Sequence, residues 1–170
     1  YDAQFIKYAT SVLNEHPRAR DSSLRDEWIF TADKLYVRGE VDASLDRLEF
    51  RAGQVVVESK NLHNAIGSPD SGIEAPELVF VVDEKMIVDG WVLVEDKLNV
   101  DVLATEGEQS ITQGLYGNVS ALNDGSTLIL NASKAIELRG LTEVKGTDSG
   151  VHYAAGTSFN LEEGGKIIGR

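Results

Sequence analysis

From Ile111 onward an apolar anchor returns about every eight residues. The anchors are Ile111, Val119, Leu128, Ile136, Val144, Val151, Phe159 and Ile167, with successive gaps of 8, 9, 8, 8, 7, 8 and 8. The residues around them follow one pattern, apolar, polar, apolar, then Gly or a small polar residue, as in Thr127-Leu-Ile-Leu-Asn and Ala135-Ile-Glu-Leu-Arg-Gly. Such a period leaves room for a strand of about five residues and a corner of about three. Two arrangements use it. One is an antiparallel meander with tight hairpins. The other is a β-solenoid, whose parallel coils stack and whose three segments make a repeat of about twenty-four residues. The solenoid is favoured by the lack of Asn-Gly hairpin signals and by the placing of Gly140, Gly146, Gly150, Gly156, Gly164 and Gly165 between the runs. The only Asp-Gly pairs are Asp89-Gly90 and Asp124-Gly125.

The region before Ile111 obeys the same period of two. Leu35, Val37 and Val41 alternate with polar residues, followed by Leu48 and Phe50, then Val55 and Val57. Leu78, Phe80 and Val82 come next, then Met86 and Val88, Val92 and Val94, and Leu98, Val100 and Val102. Alternation of this kind buries one face of each strand and leaves the other in water. The expected fold is therefore all-β, a β-solenoid, with a β-sandwich or jelly roll as the alternative.

Two segments break the rhythm. Phe5, Ala9, Val12 and Leu13 recur at helical spacing, Asp2 suits the first turn, and His16-Pro17 is a stop. Residues 1–27 thus read as a short amphipathic helix and a charged connector, and residues 28–170 as the β-rich domain. Within it, residues 59–76 hold Gly67, Pro69, Gly72 and Pro76 with Ser68, Asp70 and Ser71 between, and read as a long loop. Loops on a rigid β scaffold often carry binding residues.

Charge and composition narrow the function. The chain has 170 residues, a formal net charge of −12 and no cysteine. Its negative charge repels phosphate backbones and anionic membrane surfaces, so no nucleic-acid partner is expected. No apolar run is long enough for a transmembrane helix, so no membrane insertion is expected either. The absence of cysteine removes disulfides, thiolate metal sites and cysteine nucleophiles, and suits bacterial surface and phage proteins. The acidic surface would attract Ca²⁺, but no EF-hand loop or Gly-Gly-x-Gly-x-Asp repeat organises a site, and no cofactor is expected. The chain opens on Tyr1 rather than Met and stops at Arg170 soon after a strand-like run, the pattern of a piece of a larger protein.

The run from Leu128 to Arg170 resembles the coils of filamentous-haemagglutinin-type exoproteins and of autotransporter passenger domains. The closest likeness lies in Ala155-Gly-Thr-Ser-Phe-Asn-Leu-Glu-Glu-Gly-Gly-Lys-Ile-Ile-Gly, and Asn61-Leu-His-Asn-Ala-Ile-Gly resembles their corner motifs. These motifs are degenerate and span about a third of the chain. The resemblance implies a right-handed parallel β-helix, export across a bacterial envelope, and a role in adhesion and virulence or in presenting an effector. The helix before Trp28 departs from that pattern, and phage tail spikes and fibres share the same look.

Catalytic signals are sparse. His16, His63 and His152 stand apart with no second His at metal-ligand spacing. There is no GxSxG elbow, no Ser-x-x-Lys, no GxGxxG and no GxxxxGK. Asp83, Asp89, Asp96 and Asp101 sit near strand ends, and two of them converging on a cleft would suit glycoside hydrolysis. Trp91 precedes the inward Val92 and Val94, so it faces outward, where a ring can stack on a sugar. Trp91, His63, Asp70 and Tyr116 are the candidate binding residues. Asn118 and Asn131 begin Asn-x-Ser sequons, which matter only in a glycosylating source.

The expected role is a non-catalytic adhesion or structural segment of a larger bacterial or phage surface protein, secreted or held at the cell surface. Its expected partner is a host or cell-surface glycan or a protein receptor, with self-association also open. The alternatives are a carbohydrate-binding β-sandwich module, a viral or phage assembly subunit, and a polysaccharide-acting enzyme.

Overall fold

The computed structural model describes residues 27–37, 40–42, 46–58, 71–103 and 108–169. Among these residues there is no helix, and thirteen strands join in one continuous sheet. Every strand pairing is parallel, which removes the hairpin meander, the sandwich and the jelly roll. The chain winds as a three-sided β-solenoid of about five turns. The expected N-terminal helix and most of its connector lie outside the described residues.

The three faces, A, B and C, follow in chain order. β1 (Glu27–Val37) supplies a rung to face A and then one to face B, and β2 (Glu40–Asp42) supplies one to face C. β3 (Arg47–Val57) again covers A and B. β4 (Gly72–Val88) crosses faces C, A and B without a break, and β5 (Trp91–Val102) crosses C and A. From there each rung is a separate short strand. β6 (Ser110–Gln113) lies on B, β7 (Asn118–Ala121) on C, β8 (Thr127–Ala132) on A and β9 (Ala135–Leu138) on B. β10 (Leu141–Val144) lies on C, β11 (Gly150–Ala155) on A, β12 (Ser158–Leu161) on B and β13 (Lys166–Ile168) on C.

The eight-residue period is the period of these faces. Ile111, Ile136 and Phe159 lie one above another on face B, Leu128 pairs with Val151 on face A, and Val119 and Val144 lie on neighbouring rungs of face C. Because side chains alternate in and out of a strand, parallel in-register stacking places like on like inside the tube. Leu48, Leu78, Leu98 and Leu128 form one such ladder on face A, and all are buried. Phe30, Phe50 and Phe80 form the next, with ring centroids 5.5 and 5.3 Å apart in stacked pairs. Each ring sits at a separation where aromatic pairs attract beyond simple burial. Every apolar residue that alternation assigned to the core between Leu35 and Val102 is buried.

One boundary moves. The loop expected to reach Pro76 ends earlier, because β4 begins at Gly72 and Ser71 is already buried. Pro76 stands at the corner between faces C and A, where the pairing of β4 with β5 skips between Ala75 and Glu77. A proline lacks the N–H that a ladder needs, so a corner outside the ladder tolerates it. Residues 59–70, with the corner-like Asn61 to Gly67 motif, lie outside the described residues.

Candidate functional site

The corner between faces B and C is a column of stacked backbone. Glu58 N–H donates to Val37 O, Asp89 and Gly90 donate to Val57 O, and Gly114 donates to Val88 O, at 2.8 to 3.0 Å. Trp91 N–H bonds Ser71 O at 3.0 Å and Asn118 N–H bonds Gly90 O at 2.9 Å, tying each start of face C to the turn before it. Glycine occurs where the column is tightest: a Cβ on Gly117 would lie 2.2 Å from Val88 O, and one on Gly140 would lie 2.0 Å from Gly117 O.

Two of the four candidate binding residues lie on adjacent turns at this corner. Trp91 opens face C, and Val92 and Val94 beside it are buried, so Trp91 faces outward as alternation requires. Its indole covers Gly72 on the neighbouring rung: a Cβ there would lie 2.0 Å from Cδ2 and 2.4 Å from Cε2. Gly72 is thus the seat of the ring, and the ring remains half-buried. Tyr116 lies one turn further along, in the turn between β6 and β7, and is 42 % exposed beside the exposed Leu115. His63 and Asp70 lie outside the described residues.

Carboxylates share the same corner. Asp89 reaches over the next turn, where its Oδ1 occupies the place a Cβ of Gly114 would take. Burial, and then the charge of Glu58, push the Asp89 carboxyl above the usual carboxylate range. The corner therefore presents Trp91, Leu115 and Tyr116 next to a carboxylate held partly out of water. Neither the Glu58–Asp89 coupling nor the placing of Trp91 and Tyr116 on adjacent turns has a linear motif, because stacking of turns creates both.

The other carboxylates considered for glycoside hydrolysis are dispersed. Asp83 is exposed at the corner between faces A and B, and Asp96 is exposed at the corner between C and A, where it accepts a 2.9 Å bond from Asn123. Asp101 lies on the outer side of face A, bonded by Asn99 at 2.6 Å and Asn131 at 2.8 Å. The four aspartates occupy three corners and a face rather than one cleft. Among the described residues no three His, Cys, Asp or Glu side chains converge as metal ligands do. The sequon residues Asn118 and Asn131 are both in strands and held by side-chain hydrogen bonds.

Inside the tube one polar cluster interrupts the apolar ladders. Gln113 stands in the face B ladder between Val88 and Leu138, and Thr142 in the face C ladder between Val119 and Ile167. The Thr142 hydroxyl donates to Gln113 Oε1 at 3.1 Å, and Gln113 Nε2 donates to Gly117 O at 2.9 Å and Leu141 O at 2.7 Å. Gln113 thereby satisfies carbonyls of the B–C corner from the inside. Burial raises the Tyr153 phenol, and Thr142 tempers that rise without reaching hydrogen-bond geometry. Nothing in the linear pattern signals that these two polar residues, 29 apart in sequence, meet.

No family model, curated protein or solved structure matches this chain.

Proposed function

We propose that the chain is a non-catalytic segment of a bacterial or phage surface protein, secreted or displayed at the cell surface. The solenoid acts as a stiff spacer that carries contact residues to a glycan or protein receptor. The observation supporting this reading is the set of inward ladders from β1 to β10, apolar throughout except at Gln113 and Thr142. Close-packed interiors resist compression, and turn-on-turn stacking transmits that stiffness along the axis. The outer residues are thereby held in fixed rows. The test is labelling of intact source cells or virions with antibodies to the 170-residue chain. Surface labelling without permeabilisation is the expected result, and labelling only after permeabilisation overturns the proposal.

A second reading has its own support in the B–C corner, which brings Trp91 and Tyr116 into adjacent turns beside Asp89. An aromatic face next to a carboxylate suits a sugar, whose C–H face stacks while its hydroxyls bond. Titration of a Trp28→Phe variant with an oligosaccharide panel isolates Trp91 fluorescence. A saturable change lost in Trp91→Ala and weakened in Tyr116→Ala supports glycan contact at this corner. A panel that leaves Trp91 fluorescence flat removes it.

A further inference from the structure

The outer side of face C carries four residues in register, Gly72, Trp91, Asn118 and Leu141, each one rung from the next. Glu40 precedes this column and Lys166 follows it, so it lies within the body of the solenoid. A Cβ on Gly72 would lie nearest the two ring-fusion carbons of the Trp91 indole, Cδ2 at 2.0 Å and Cε2 at 2.4 Å, and not along one edge of the ring. The indole therefore lies face down over the glycine and turns its opposite face outward. It leans toward the Gly72 rung, away from Asn118.

Asn118 is a short polar residue between two large ones, Trp91 and Leu141. Val119 and Ala121 are buried, so Asn118 and Ser120 face outward. Ser120 is nonetheless only 4 % exposed, and its hydroxyl donates to Asn118 Oδ1 at 2.7 Å. That bond fixes the plane of the amide, and Asn118 Nδ2 makes no hydrogen bond among the described residues. The column thus pairs an outward aromatic face with a donor of fixed direction. A pyranose uses both, since its C–H face packs on a ring while a hydroxyl oxygen accepts a hydrogen bond. Because the donor is already held, little ordering is lost on binding. From Gly72 to Asn118 is two rungs, roughly 9.6 Å at a strand spacing of 4.8 Å, a span that suits two linked pyranose rings.

We infer that this column is a two-sugar subsite for a neutral oligosaccharide lying along the solenoid axis. The inference rests on the glycan reading of the B–C corner and names its ligand class and its hydrogen-bonding residue. The first pyranose stacks on Trp91 above Gly72. The second lies over Asn118, accepts a hydrogen bond from Nδ2 and ends against Leu141. Ser120 is a positioning residue, acting through the Asn118 amide. Charge selects the class of sugar. The neighbouring column on the same face runs Glu74, Leu93, Ser120, Glu143, with a carboxylate at each end, and the chain has a net charge of −12. Such a surface repels uronic and sialic acids and leaves neutral sugars unaffected.

The experiment uses the full chain carrying Trp28→Phe, with Trp91 fluorescence as the readout. The probes are neutral gluco-, galacto- and manno-oligosaccharides of increasing length, with uronic-acid and sialylated oligosaccharides alongside. For at least one neutral series, affinity is expected to rise about tenfold from one unit to two and little beyond. Asn118→Asp keeps the side-chain shape and the acceptor for Ser120 but removes the donor. It is expected to abolish the gain from the second unit, leaving monosaccharide binding and the circular dichroism unchanged. Asn118→Ala is expected to do the same, which separates loss of the donor from the added charge. No length step, a step that survives both substitutions, or acidic sugars bound as tightly as neutral ones overturns the two-sugar subsite and leaves the glycan reading of the corner standing. Fluorescence that stays flat for every sugar overturns both.

Discussion

The two halves of the solenoid reach the same geometry by different means. In the first, β1, β3, β4 and β5 are 11 to 17 residues long and bend around corners without leaving the sheet. Leu35 lies beside Val55 and Leu78 beside Leu98, a step of 20 residues, while Leu48 beside Leu78 is a step of 30 that spans residues 59–70. In the second, strands of 3 to 6 residues alternate with glycine-bearing corners, and Ile111 to Ile136 and Ile136 to Phe159 are steps of 25 and 23. The extra residues are corner residues, pulled out of the sheet where backbones approach too closely for a side chain. Among the described residues the ladders of the first half are all apolar and include a phenylalanine stack. The second admits Gln113 and Thr142, and its outermost ladder is open. Where strands run through corners, the ladders supply the order; where corners are separate, glycine and buried hydrogen bonds help to set the register.

This contrast makes the two halves respond differently to the same kind of change. The largest effect is expected at the phenylalanine stack. Phe50→Ala leaves a cavity between two rings and should lower stability by about 3–5 kcal/mol. Phe159→Ala on the last turn, where the ring is 42 % exposed, should cost under about 1 kcal/mol, both read by urea denaturation. Equal losses would end the contrast. Next come the corners. Gly140→Val drives a side chain against Gly117 O and should cost about 1–3 kcal/mol, while Asp83→Val at an exposed corner of the first half should change stability by less than about 0.5 kcal/mol.

The buried polar pair sharpens the comparison further. Thr142→Val alone leaves Gln113 Oε1 without its donor and should cost about 1–2 kcal/mol, whereas Gln113→Leu with Thr142→Val should recover most of that loss. Additive losses in this double-mutant cycle would show that the pair does not act as a unit.

The smallest effects are electrostatic and of opposite sign. Glu49 is buried in the first half, and burial pushes its carboxyl upward. The hydrogen bonds from Arg51 and Arg47, at 2.6 and 2.7 Å, and their charges outweigh this and hold it below the usual range. Its contribution is therefore in place above the unfolded carboxylate value and declines as pH falls through the folded one. Asp89 has a raised pKa, so its ionisation destabilises the fold as pH rises through the folded value. Glu49→Gln should lower the melting temperature at neutral pH and Asp89→Asn should raise it, each by about 1–4 °C. The Asp89 difference should shrink as pH falls below the ordinary carboxylate range, and the Glu49 difference only at lower pH, through its depressed folded value. An Asp89→Asn protein that melts lower at neutral pH would contradict the assigned cause of its shift.

How much of this was legible in the sequence follows from what a linear pattern encodes. Alternation at period two names the inward face of every strand, and it named Leu35, Phe50, Met86 and Ile136 equally well. The eight-residue period marks where corners fall, and Gly140, Gly146 and Gly156 stand there because neighbouring carbonyls leave no room for a Cβ. The outward aim of Trp91 came from the same alternation. Pro76 misled because proline more often ends a strand than sits at a bend within one.

The sequence by itself determined an all-β chain, its inward residues and its repeat length, because these depend only on side-chain type and spacing along the strand. The tertiary structure decided that the pairings are parallel, since alternation is identical in parallel and antiparallel sheets. It also decided which residues some 20 to 30 positions apart lie in contact: Trp91 on Gly72, Gln113 on Thr142, Asp89 over Gly114. Those meetings depend on the number of residues in each corner, and corner length is set by how closely one turn can pack on the next.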